Sequence, residues 1–108
     1  MIKLIYSPKA KSDLNNIFDY IASDNIAEAI NFTEHIKSDI ERLVDFPNTG
    51  TDQGKEFLIQ RKIKFIVIND YLAFFKYHAE NQTIHILRIL NGAMEYETRI
   101  SEDDHEVK

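Results

Sequence analysis

Four side chains in the second half of the chain carry groups that, brought together, suit metal-free cleavage of RNA: Lys62, Lys64, Arg88 and Tyr96. That reaction needs a base for the 2′-hydroxyl, cations for the phosphate and an acid for the leaving oxygen. Lys62 and Lys64 stand two apart in a run that reads as strand, so the two-residue period puts them on one face. Arg88 falls between Ile86 and Leu90, and the same period puts it on their face. A guanidinium in an apolar row either pairs with a buried carboxylate or borders a groove that another molecule fills. The lysines equally suit a charged edge strand that resists aggregation.

Other chemistries find less support. The histidines are His35, His78, His85 and His105, with no i, i+4 pair and no HExxH. They read as structural or surface residues, and neither a metal nor a cofactor is expected. With Ala79–Gln82 as a four-residue loop, His78 faces Thr83 and His85 faces Lys76. There is no cysteine and no GxSxG, so nucleophilic catalysis has no candidate. Residues 48–55 hold two glycines but no GK[ST], so no phosphate cradle is formed. The carboxylates Asp13, Asp19, Asp39 and Glu41 read as solvated helix positions.

The elements that must position these groups are legible from periodicity. Residues 63–68, 71–77 and 83–90 are β-branched and aromatic runs split by short polar breaks, which predicts an antiparallel meander. Apolar residues occupy odd and even positions alike, so both faces of these strands need cover. Upstream, Lys3–Tyr6 reads as a first strand, and Ser7-Pro8 as an N-cap with proline at the first helical position. Ala10, Leu14, Ile17, Phe18 and Ile21 form one helix face, with Lys11, Asp13, Asn15, Asn16 and Asp19 outside it. A second helix is expected from Ile26 to Asp45, ended by Phe46-Pro47. Residues 48–55 read as a loop, Glu56–Gln60 as an edge strand, and Ala93–Ile100 as a short terminal helix. The predicted fold is α+β, β-α-α-β-β-β-β-(α): an N-terminal strand and helical hairpin on one face of a mainly antiparallel sheet. It is a single domain over residues 1–100, with an acidic, disordered tail over 101–108.

Charge is uneven. Of the net −5, residues 9–45 hold eight acids against four bases, and the last eight residues hold four acids and one lysine. Residues 55–64 run the other way, with four bases against Glu56. Direct nucleic-acid binding is not expected at this balance. With no cysteine, no signal-peptide pattern and no run approaching a membrane span, the chain reads as cytoplasmic.

Three segments carry a resemblance: SPKAKSDLNNIFDYIASDN at 7–25, LVDFPNTG at 43–50 and YLAFFKYHAENQTIHILRILNG at 71–92. In this order they resemble the RelE/ParE superfamily of type II toxin–antitoxin toxins. The SPxAxxDLxxIxxYI opening and the LRxLxG ending are closer to the ParE branch. That branch implies a DNA gyrase poison neutralised by a cognate antitoxin. The RelE branch implies ribosome-dependent mRNA cleavage by basic, histidine or tyrosine side chains. The chain departs from the nuclease pattern after the last strand, where Asn91 replaces the expected histidine and Ala93 and Met94 follow Gly92.

The expectation is therefore a toxin that binds and inhibits gyrase. The alternatives are a RelE-type endonuclease using Lys62, Lys64, Arg88 and Tyr96, or a degenerate toxin that only binds its antitoxin. An amphipathic antitoxin segment would cross the hairpin and an apolar sheet face left open by the chain, touching Leu14, Phe18, Ile21, Phe74 and Arg88.

Overall fold

The computed structural model of the chain describes residues 1–94 and 96–103. The order is β1 (Lys3–Tyr6), α1 (Pro8–Ala22), α2 (Ile26–Glu41), a 3-10 turn (Arg42–Val44), α3 (Glu56–Arg61), β2 (Lys64–Ile68), β3 (Tyr71–His78), β4 (Thr83–Asn91) and α4 (Glu97–Asp103). The strands form one sheet in the order β1-β4-β3-β2. The β2-β3-β4 meander is antiparallel as predicted, and β1 lies parallel to β4. His78 faces Thr83 and Lys76 faces His85 across the Ala79–Gln82 loop.

Local signals explain the hairpin. Ser7 Oγ accepts from the Ala10 N–H at 3.0 Å, with Pro8 opening α1 where its missing N–H costs nothing. The same hydroxyl donates to the Leu87 carbonyl at 2.7 Å, fixing the start of α1 to β4. Asn25 caps α2 through the Glu28 N–H at 3.0 Å. The α-helix ends at Glu41, and the 3-10 turn carries the chain towards Phe46-Pro47.

Four expectations about individual elements and residues are corrected first. Glu56–Gln60 lies in helix α3, not in a strand. Its end is a Schellman cap: Ile63 N–H donates to the Leu58 carbonyl at 2.9 Å, Lys62 N–H to the Ile59 carbonyl at 3.1 Å, and Lys62 takes φ 59°. Leu58 and Ile63 are both buried, supplying the apolar contact that accompanies this cap. Lys62 is therefore a helix-capping residue, and does not share a strand face with Lys64.

The second correction concerns Arg88. Between Phe74 and Phe75 the register slips: their partners are Arg88 and Ile86, and Leu87 is the extra residue of a bulge. Ile86 packs with the helix-side core and Leu90 with the core on the opposite face, so Arg88 does not share a face with both. Third, Asp13 is buried, not solvated. Fourth, the terminal helix expected at Ala93–Ile100 is observed as α4 at Glu97–Asp103. His105 and the rest of the tail, Asp104–Lys108, lie outside the described residues.

The chain itself covers the centre of both faces of the sheet, leaving Ile5 of β1 and Val67 of β2 exposed at its edges. On one, Ala10, Leu14 and Ile17 of α1 and Ile36 and Ile40 of α2 pack on Ala73, Phe75, Ile84, Ile86 and Ile89. On the other, Leu58 of α3 and Ile100 of α4, with Met94 and Tyr96, cover Phe65, Leu72, Phe74, Leu87 and Leu90. Each large side chain so buried contributes about 1.5–3 kcal/mol. The strands are apolar on both sides because two helical layers share them. The broad open apolar sheet face expected from the sequence is not there; α3 and the C-terminal helix cover its centre, and only edge residues such as Val67 stay exposed.

Candidate functional site

Exposed apolar surface is found on the helical hairpin. Along α2, Ile26, Ile30, Thr33, Lys37 and Glu41 recur at intervals of four, three, four and four, which aligns them on one face. Ile26 is 62% exposed and Ile30 48%. Thr33, Lys37 and Glu41 line a groove of about 450 Å³ whose other wall is Lys11, Leu14, Asn15 and Phe18 of α1, with Tyr6 at one end. The groove is charged at Lys11, Lys37 and Glu41, and beyond Thr33 the same α2 face continues to Ile30 and Ile26, which do not line it. Burial, and then the nearby Glu41 charge, push the Tyr6 phenol up to about 12. The Thr33 hydroxyl is satisfied by the Ala29 carbonyl at 2.8 Å.

The structure brings together only part of the residue set expected to meet an antitoxin. Leu14 is the buried floor of the groove and Phe18 its half-buried wall. Ile21 lies on the far side of α2, in a separate depression by the β2–β3 turn. Phe74 is fully buried, with the Tyr96 ring 5.0 Å from its own, so it offers no surface. Arg88 is also interior: Nε and Nη2 donate to the two oxygens of Asp13 at 2.8 and 2.9 Å. Of the two roles open to Arg88, the ion pair is the one it adopts. Ile26 and Ile30 are exposed outside that expected set, and their four-residue spacing, off the Ala29–Ile36–Ile40 stripe, marks a second apolar face.

The cationic set does not converge. Lys62 and Lys64 are exposed and border a cavity of about 310 Å³ floored by Leu58, Ile63 and Phe75. Neither Arg88 nor Tyr96 lines it. Tyr96 stacks against Phe74 and Phe57, with the Lys55 ammonium 5.9 Å from its ring centre. His78 and His85 make an edge-to-face pair at 5.3 Å on the meander. Burial, then His78, then Lys76, lower the His85 pKa from its usual value. Among the described residues no three metal-ligating side chains converge.

This arrangement of a helical hairpin over a β1-β4-β3-β2 sheet matches a solved chain titled "Chromosomal ParDE TA system from P. aeruginosa". The TM-score is 0.68 at 22% identity, over 84% of this chain and 96% of that one, a likeness of fold. No curated protein matches the sequence. The family profile described as "ParE toxin of type II toxin-antitoxin system, parDE" matches residues 4–96. The fold and that match define a type II toxin. The chain belongs to the ParE toxin family.

Proposed function

We propose that this toxin acts by binding DNA gyrase, not by breaking bonds itself, and that a cognate antitoxin neutralises it by laying an amphipathic helix along the α1/α2 groove. The observation that carries the antitoxin half is the exposed Ile26–Ile30 row, continuous by helical spacing with a groove whose far end is charged. A partner helix with an apolar stripe and a charged end would complement it. The contact surface proposed here is Leu14, Phe18, Ile26 and Ile30; Ile21 joins it only if the partner wraps over α2.

The binding mode of action is supported by the separate engagements of the groups considered for cleavage: Lys62 and Lys64 border one cavity, Arg88 is paired with buried Asp13, and Tyr96 packs against Phe57 and Phe74. Membership of the ParE toxin family supports gyrase as the target, and a gyrase-directed toxin would act in the cytoplasm. No described helix is long and apolar enough to cross a membrane. The decisive assay adds purified protein to gyrase supercoiling reactions. Loss of supercoiling at stoichiometric toxin, restored by antitoxin, supports the reading; unchanged supercoiling at excess overturns it. Ribosome-bound mRNA cleavage that disappears in Lys62→Ala and Lys64→Ala would establish the nuclease reading instead.

A further inference from the structure

A second concavity lies across α2 from the groove, where α2 passes the β2–β3 turn. It is a shallow, open depression of about 620 Å³ between Phe32 and His35 on one side and Tyr71 on the other, with Glu28 and Asp70 also lining it. The Phe32 and Tyr71 rings are 5.8 Å apart and tilted by 51°, and the Phe32 and His35 rings are 6.3 Å apart. Aromatic faces attract cations through their quadrupole, and two carboxylates beside them select the same sign of charge. Neither Glu28 nor Asp70 has an ion-pair partner within the chain among the described residues. The Tyr71 phenol is pushed up by burial, and then by Tyr20 and Asp70, so that exposed tyrosine and that acid both bear on the same ring.

We propose that this depression is a receptor for an arginine side chain presented by a protein partner. A planar guanidinium can stack on the Tyr71 or Phe32 face while its edge donates to Asp70 or Glu28, a combination that a compact ammonium reproduces less well. The surrounding hairpin favours such an approach, because residues 9–45 carry eight acids against four bases. The site's chemistry does not depend on the antitoxin or gyrase reading. A partner chain is the committed source, since the open apolar wall at Ile21 and Phe32 gives flanking side chains a surface that free arginine would not use.

The test is an NMR titration of the full chain with the blocked peptide Ala-Leu-Arg-Leu-Ala, its citrulline counterpart and free arginine. Citrulline keeps the shape of arginine and removes its charge. The expected result is peptide-induced shifts centred on residues 28–35 and 69–71, with binding weakened about five-fold or more by citrulline. Asp70→Asn and Glu28→Gln, both at exposed positions, should each weaken the arginine peptide and leave the citrulline peptide unaffected. Tyr71→Leu should weaken the arginine peptide even with both acids present. Equal binding of the two peptides, shifts located elsewhere, or no shifts at millimolar peptide would overturn the proposal. So would free arginine binding as tightly as the peptide. A failed supercoiling assay would leave all these outcomes unchanged, so the two readings fail separately.

Discussion

The Asp13 carboxylate grips the Arg88 guanidinium at two points and also accepts the backbone N–H of Ile89 at 2.9 Å. β1 pairs with β4 only as far as Ile86, so the next stretch of that edge has no strand beside it. One side chain of α1 takes over as acceptor there, and the paired charges tie helix to sheet 75 residues apart in sequence. Removing either partner strands a buried charge, which typically costs about 3–5 kcal/mol. Asp13→Ala should be the more damaging of the two, because it also orphans a buried N–H. The joint change Asp13→Leu with Arg88→Met should cost much less than the sum of the single losses. Urea melts of the four proteins check this; single losses below about 1 kcal/mol would show that the pair does not hold α1 in place. Arg88→Ala is accordingly a poor test of catalysis, since any loss of activity must first be corrected for unfolded protein.

Gly50 separates conformational from steric demands. Its φ is +119°, and a Cβ there would sit 3.0 Å from Phe75 Cζ and 3.2 Å from the Phe65 carbonyl oxygen. Next to it, Thr51 and Phe65 exchange N–H···O bonds at 3.0 and 2.9 Å, folding the 48–55 loop against the β2 edge. Gly54 also has positive φ, +70°, but open space around its Cα. Gly54→Ala should cost about 1 kcal/mol of backbone strain, and Gly50→Ala about 2–3, the excess being displacement of a buried ring. Thermal denaturation of both variants decides; equal losses would mean that Phe75 yields freely.

The elements that were legible in the sequence are those that local rules determine. The Ser7-Pro8 start, the hairpin and the three-stranded meander follow from caps and periodicity, and so does the register His78 opposite Thr83. Residues 56–60 were misread because Phe57, Leu58 and Ile59 suit a strand as well as a helix. The choice falls to the Leu58–Ile63 contact closing the cap, six residues of context that strand propensity ignores. Asp13 was recoverable: it lies three residues after Ala10 and four before Ile17, on the buried face, and a carboxylate there asks for a cation. The bulge at Leu87 was not, because nothing in LRIL distinguishes a slipped register from a regular one. It was this slip that invalidated the face assigned to Arg88. The two-sided apolar strands were read correctly as needing cover on both sides. Their second cover turned out to be α3 and the C-terminal helix, so the case for toxin identity rests on the family match and not on a bare sheet.

Three shifted groups, His85, Tyr6 and Tyr71, couple stability to pH. His85 has a lowered folded-state pKa, so the fold prefers the neutral imidazole. Its contribution is fully present above the ordinary value of 6.5 and is lost as pH falls through the depressed one, because the unfolded chain binds the proton first. Tyr6 behaves oppositely. Its pKa is raised from 10.0 to about 12, so its contribution is complete below 10 and is lost as pH rises toward 12. His85→Gln should reduce the loss of stability as pH falls below 6.5, and Tyr6→Phe the loss as pH rises from 10 toward 12, where Tyr71 keeps a share, each leaving the other limb alone. A parallel shift of the whole profile in either variant would refute the assignment.

The proposed antitoxin groove makes a prediction that stability cannot imitate. Ile30 is nearly half exposed and its neighbours on that face are Ile26 and Thr33, so Ile30→Glu should change folding free energy by no more than about 0.5 kcal/mol. If a partner's apolar stripe covers this row, the buried glutamate would cost the complex about 2 kcal/mol or more, near a thirty-fold loss of affinity. Val67, 59% exposed on the β2 strand, supplies the control: Val67→Glu is a similar change on a different surface and should leave antitoxin binding intact. Calorimetry of both variants against the cognate antitoxin separates the cases. Weakening by Ile30→Glu alone locates the partner on the hairpin. Weakening by Val67→Glu alone would move it to the β2 side, and an effect from neither would leave the groove without its proposed occupant.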